Sequence, residues 1–336
     1  MKIKNLVPVK IKHTIKDFIR DTAVFGINVA IYHAGYNYFS YSIKSKQFLA
    51  WNERRKKSIM DFLEKELHDL VLEYQKKSDQ SVITEGKAPV WVFWWQGENT
   101  MPPIIQLCLE SKKTNAGEHP VYVLDEHNYQ DYISLPEYIL EAFMQKKISI
   151  VNLSDIIRSA LLAQYGGIWL DASIFCYRQI PESCFERDIY TIKHNIKDKK
   201  FISEYRWATF LLGGKAGNKL YCFLRDAFYI LVKKYGTFID YFMLDYLINL
   251  AYTEIPDVHQ EIENLEVNQP DCDELTDKLN ENYKLTDAWL KENRDTCFYK
   301  IKWKQTFLES QDGELTYFGM LKRDLYDRNT EVPKHS

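Results

Sequence analysis

Gly166-Gly167-Ile168-Trp169-Leu170-Asp171-Ala172-Ser173 lies at the middle of the 336-residue chain and decides how the rest is read. Two adjacent glycines permit a tight reversal between elements. Three apolar residues, one β-branched and one aromatic, then make a short buried strand. The strand delivers the Asp171 carboxylate to its carboxyl end, where open α/β sheets hold their ligands. Immediately upstream, residues 154–165 carry helical spacing and stop at the glycine pair.

The same rhythm extends toward the N-terminus. Residues 90–95 form an apolar run that reads as a buried strand, and Pro102 and Pro103 open a helix to about residue 113. Residues 121–124 make a second strand ending at Asp125, and Pro136 opens a helix to about residue 147. Residues 148–151 read as a third strand and 168–170 as a fourth. This alternation predicts an α/β fold with a mostly parallel sheet flanked by helices. Gln96 and Gly97, Asp125 and Asp171 then fall at strand ends. Downstream, helices are expected over 220–235 and 238–252, an acidic and less regular stretch over 261–277, and short strands and turns over 297–321. Residues 1–80 read as an N-terminal helical region, joined by a polar linker over 78–87 to a main domain spanning 88–325.

Bulk properties narrow the function. A net charge of −3 argues against a nucleic-acid partner, and 46% hydrophobic residues suffice for one large core. The six cysteines form no C-x-x-C pair and no Cys/His cluster, so reduced buried thiols and no structural zinc are expected. Residues 1–16 are basic but lack the continuous apolar core of a signal peptide. Residues 25–43 are uncharged and aromatic-rich, yet Asn28, His33, Gly35 and Asn37 make them too polar for a membrane span. The simpler reading is a helical subdomain packed on the main fold. The other is peripheral contact with an anionic membrane surface, helped by the basic stretch 2–20. H-E-x-x-H, G-x-x-x-x-G-K-[ST] and G-x-S-x-G are all missing, which disfavours a zinc hydrolase, a P-loop enzyme and a serine hydrolase.

Three constellations carry chemistry. An Asp at a sheet edge, here Asp171, can hold Mg or Mn, and the metal can grip a diphosphate. Asp155 and Arg158 are spaced i, i+3 and share a helix face. Asp155 can accept from sugar hydroxyls and the fork of Arg158 can hold phosphate. The bland alternative is a helix-start acid on the dipole beside a surface Arg. Trp94-Trp95-Gln96-Gly97 ends the first strand, where an indole can stack on a nucleotide base and Gly97 can admit backbone close to a ligand. The alternative there is that the two indoles are core material on opposite sheet faces. Asp240 and Asp245 are five apart, so solvated or capping roles are expected of them, with acceptor binding the sharper reading.

The segment 90–175 resembles the capsular polysaccharide synthesis proteins. It is also similar to glycosyltransferases with a DxD-type sugar motif, including the sugar-transferring domains of large clostridial toxins. The likeness rests on Trp94-Trp95-Gln96-Gly97, on Ser154-Asp155-Ile156-Ile157-Arg158 and on Tyr165-Gly166-Gly167-Ile168-Trp169-Leu170-Asp171, about a quarter of the chain. It implies a GT-A fold (a Rossmann-like sheet for nucleotide-diphospho-sugars) and a hexosyltransferase that retains anomeric configuration. The implied donor is a nucleotide sugar such as a UDP-sugar, and the implied cofactor is Mn2+ or Mg2+. The implied acceptor is a growing surface or capsular glycan, a lipid-linked oligosaccharide at the cytoplasmic face of the membrane. Carried over residue by residue, it puts Trp94, Trp95, Gln96 and Gly97 in the donor site, Asp155 and Arg158 at the sugar and phosphates, and Trp169 and Asp171 beside ribose, sugar and metal. Trp303 and Lys304 resemble a late segment that closes over the diphosphate. One position departs from the pattern: Ser173 stands where a second acid is expected. The expected metal set is therefore Asp171 with Ser173, whose hydroxyl can ligate but brings no charge. The departure also motivates an alternative, a catalytically degenerate member acting as a binding or scaffold subunit. A nucleotidyltransferase fits poorly, because Gln96-Gly97-Glu98-Asn99 is neither Gly-rich nor basic.

Overall fold

A computed structural model of the chain describes residues 17–39, 45–78, 80–82 and 86–331. The basic stretch 1–16 and parts of the polar linker lie outside these residues. The strands that frame the site are β1 (Val90–Phe93), β2 (Val121–Leu124), β3 (Gly167–Leu170), β4 (Ile174–Cys176), β5 (Tyr190–Thr191), β6 (Leu211–Gly214) and β7 (Phe298–Lys300). Five of them form one sheet in the order β2-β1-β3-β6-β5. β1 runs parallel to β2 and β3, while β6 runs antiparallel to both β3 and β5. This is the mostly parallel, Rossmann-like sheet that the alternation predicts. β4 and β7 make a separate antiparallel pair.

The helices include α1 (Ile27–Phe39), α2 (Lys46–Glu66), α3 (His68–Lys76), α4 (Pro103–Asn115), α5 (Glu137–Met144), α6 (Ile150–Tyr165), α7 (Lys219–Tyr235), α8 (Met243–Glu254), α9 (Pro256–Glu263), α10 (Tyr283–Glu292) and α11 (Tyr317–Glu331). Alternating strand residues feed two cores, as period-two geometry requires. Trp91 and Trp169 face one core with α6, α7 and α8. Val90, Val92, Ile168 and Leu170 face the other, with α4, β4 and β7. In α6, Ile156, Ile157, Leu161 and Leu162 are fully buried, each contributing about 2 kcal/mol.

Four expectations need correction. Residues 148–151 are not a strand. The Ser149 side chain accepts from the Asn152 amide and Asn152 answers the Ser149 amide, a reciprocal cap that starts α6 at Ile150. A short apolar run reads alike as strand or buried helix, and the cap decides it. The first strand stops at Phe93, because the Gly97 amide turns back to the Trp94 carbonyl at 2.9 Å. The helix expected over 238–252 starts at Met243, leaving Asp240 in the preceding loop. Residues 317–331 are helical, with the Thr316 hydroxyl accepting from the Gly319 amide at 3.0 Å.

The N-terminal helices share the first core. Ile59 and Leu63 of α2 and Tyr74 of α3 join Phe223 and Leu224 of α7 in it. The Tyr74 hydroxyl donates to Asp226 at 2.6 Å. Arg55 of α2 forms a buried ion pair with Asp240. Among the described residues, no helix is long and apolar enough to cross a membrane.

Candidate active site at the carboxyl end of the sheet

The glycine pair sets the site's position. Gly166 caps α6 at φ +63°, and a Cβ there would meet the Ala216 amide nitrogen at 2.5 Å. Gly167 sits at φ +84°, where a Cβ would fall 2.1 Å from the Pro89 carbonyl oxygen. Only glycine fits this approach of α6 to the sheet. β3 then carries Asp171 out beyond the sheet, its amide donating to the Phe210 carbonyl at 3.0 Å.

After Asp171 the chain turns at once. The Ile174 amide returns to the Asp171 carbonyl at 2.9 Å. Lys112 of α4, fully buried, fixes this turn by donating to the carbonyls of Ala172 at 3.0 Å and Ile174 at 2.5 Å. Burial lowers the Lys112 ammonium below its ordinary range. Ser173 is buried within the turn, and its carbonyl accepts from the Ile301 amide at 2.9 Å.

The Asp171 carboxylate is 30% exposed, and both of its oxygens are engaged. Oδ1 accepts from Arg158 at 3.3 Å and from the Trp169 indole at 3.1 Å. Oδ2 accepts from Lys300 at 2.6 Å. Burial alone would raise this carboxyl, but Lys300 and then Arg158 outweigh it and hold it below the usual range. Arg158 also donates to the Thr209 carbonyl and lies 3.4 Å from Asp155. Asp155 is buried in the second turn of α6, so it is not a solvated helix-start acid. Burial pushes its carboxyl up to about 7, against the pull of Arg158. Asp245 accepts from the Trp207 indole at 3.0 Å, and burial pushes it up to about 6. Asp240 has the capping role expected of it, accepting from the Phe242 amide at 2.8 Å, but it is buried against Arg55, and Asp245 is held by Trp207, so neither is solvated.

The two indoles that follow β1 lie on opposite sheet faces, as the core alternative expected. Trp95 packs edge-on against Phe143 in the first core. Trp94 faces the second, donates to the Thr100 hydroxyl at 3.0 Å and meets Trp303 with ring centroids 5.6 Å apart. Gln96 is exposed. A Cβ on Gly97 would lie 3.5 Å from an oxygen of Asp125, which otherwise caps the turn at His127 and Asn128. Trp169 is 1% exposed, so its indole orients Asp171 and Arg158 from beneath. The sequence reading missed Lys300, which β7 places opposite Ile174 of β4. A lysine inside the apolar run 297–301 was the available signal.

The donor set can be tested against the implied cation. Hard divalent ions take about six oxygen ligands, and beside a diphosphate one or two free carboxylates suffice, with phosphate oxygens and water supplying the rest. Asp171 already accepts from two cationic side chains, Asp155 faces Arg158 and is half neutral near pH 7, and Ser173 carries no charge. Among the described residues, no group of three or more His, Cys, Asp and Glu side chains could hold a metal. As arranged, these residues do not fit a divalent cation.

A cleft of about 910 Å³ opens between the N-terminal helices and the main fold, lined by Tyr36, Arg55, Phe143, Asn152, Tyr241 and Phe242 among others. Tyr241, 59% exposed, links it to the acid cluster. Its phenol is raised by burial and then by the charges of Asp155 and Asp171.

A family model described as capsular polysaccharide synthesis protein matches residues 40–321. The chain is similar to the O-glycosyltransferase braB of Annulohypoxylon truncatum, 30% identical over 107 residues, which are 29% of this chain and 25% of that protein. It is similar to the O-glycosyltransferase PaGT of Phomopsis amygdali, 26% identical over 128 residues, which are 33% of this chain and 32% of that protein. The chain thus spans a quarter to a third of the length of these curated relatives.

Proposed function

The chain belongs to the capsular polysaccharide synthesis protein family, and we propose that it is a glycosyltransferase moving a hexose from a nucleotide-diphosphate sugar, such as a UDP-sugar, to a glycan acceptor. The observation that carries this reading is the Asp171 carboxylate at the end of β3, partly exposed and flanked by Arg158 and Lys300. A carboxylate between two cations offers acceptors for sugar hydroxyls and donors for a diphosphate in one place. Both relatives named above are O-glycosyltransferases, which agrees with an oxygen nucleophile on the acceptor.

In the proposed reaction the bond between sugar C1 and the diphosphate oxygen breaks, and its electron pair stays on the diphosphate. The acceptor oxygen bonds to C1, and its proton passes to the departing diphosphate. Anomeric configuration is retained if attack comes from the leaving-group face. Arg158 opposes the growing negative charge. Asp155 orients sugar hydroxyls, donating a hydrogen bond when protonated and accepting when ionised. The base stacks near Trp94, with Gln96 and Gly97 at its edge. The acceptor, a growing surface glycan, enters along the cleft beside Tyr241. A lipid-linked acceptor would bring this face toward the cytoplasmic side of a membrane.

The test is thermal stability of the purified chain with a panel of UDP- and GDP-sugars, in chelator and in manganese, followed by transfer to glycan acceptors. A ligand that binds the folded state raises the melting temperature. A shift from one donor that disappears in Asp171→Ala supports the transferase. No shift with any donor in either buffer removes it in favour of a scaffold subunit.

A further inference from the structure

We propose that Lys300 takes the charge-neutralising place of a divalent cation, so that a nucleoside diphosphate binds and departs here without metal. The proposal rests on the transferase reading and deepens it. Its basis is the mismatch between the family's implied metal and the groups present.

Three features fix Lys300 at this point. Its strand pairs with β4 in a register that sets Lys300 opposite Ile174, three residues past Asp171. Its own amide donates to the Cys272 carbonyl at 2.7 Å, and the next amide, of Ile301, holds the Ser173 carbonyl at 2.9 Å. Its side chain lies across the Phe210 ring, with the nitrogen 5.0 Å from the centroid. The ammonium therefore reaches Asp171 from a strand clamped on both sides, and the side chain is still 26% exposed to a ligand.

Charge then decides between lysine and metal. Arg158 is shared between Asp171 and Asp155, whereas Lys300 pairs among the described residues with Asp171 alone, so Lys300 is the cation left to meet an incoming anion. A diphosphate diester brings two negative charges and meets complementary groups. A divalent ion on Asp171 must displace the ammonium standing 2.6 Å from Oδ2, and then sit beside two like charges. Metal sites assemble acids around the ion, whereas this one assembles cations around the acid.

The experiment is calorimetric titration of the full chain with UDP and with GDP, once in EDTA and once in manganese. The expected result is that one nucleotide binds about equally in both buffers. Lys300→Ala is expected to weaken binding in EDTA about tenfold or more, and manganese to restore part of it by occupying the freed carboxylate. Lys300→Arg keeps metal-free binding, which a merely structural lysine would not explain. Lys300→Gln replaces the alanine variant if that one fails to fold. Binding by the wild type only in manganese overturns this proposal and leaves the transferase reading intact. Unchanged affinity of Lys300→Ala in EDTA overturns it too. No binding of either nucleotide in either buffer overturns both.

Discussion

The guanidinium of Arg158 lies 4.7 Å above the ring of buried Trp169. Both side chains donate to the same oxygen of Asp171. A planar cation is thus held by an aromatic ring and an acid together, an arrangement an ammonium on a flexible stem cannot copy. Arg158→Lys is therefore expected to lower the transfer rate about 100-fold, the scale of one lost electrostatic contact. Steady-state kinetics with the donor found by thermal shift would measure it. A rate within a few-fold of wild type would remove Arg158 from the chemistry.

Asp155 predicts a pH dependence of stability. Its carboxyl titrates at about 7 in the folded chain, against an ordinary 3.8. Between those values the folded state keeps a proton that the unfolded state releases, so stability falls as pH rises from about 4 to 7. Asp245, pushed up to about 6, acts in the same direction. Asp155→Asn is expected to flatten the fall by on the order of 1–4 kcal/mol. Urea denaturation at a series of pH values checks this, and an unchanged slope would contradict it.

The Arg55–Asp240 pair ties α2 to the loop before α8 with both partners buried. Neutralising one partner strands the other charge in the core. Asp240→Asn is expected to cost about 3–5 kcal/mol, read from the denaturant midpoint. Limited proteolysis should then cut first in the N-terminal helices. A loss below about 1 kcal/mol would mean that water reaches the pair.

Lys112 makes a similar claim on the turn after Asp171. Lys112→Met keeps the stem but leaves the carbonyls of Ala172 and Ile174 without their donor. The expected loss is about 2–4 kcal/mol of stability, together with weaker nucleotide affinity as Asp171 loosens. Stability lost with affinity unchanged would make Lys112 purely structural.

Much of this was legible in the chain. Gly166-Gly167, the apolar triplet and Asp171 announce a helix, a reversal, a strand and a carboxylate, because each step follows from local conformational rules. The parallel strands announce themselves by continuous apolar runs. Residues 148–151 misled because the side chains of Ser149 and Asn152, not the apolar pattern, choose the conformation. Asp155 and Arg158 were found as a pair, yet their burial was not, since it depends on α7 and α8 arriving from far along the chain. Lys112 sits on the apolar stripe of Ile104 and Cys108, so its position alone could have flagged it. Lys300 could be recognised only as an oddity, because pairing between β4 and β7 joins segments that no local rule connects.

That pairing has a consequence in time. Asp171 and Lys300 are 129 residues apart in sequence. As the chain leaves the ribosome, the acid and its helix partner Arg158 are available long before the ammonium. Until β7 docks on β4, an anionic ligand finds only half of its counter-charge. The pocket is therefore completed only when that distant strand arrives.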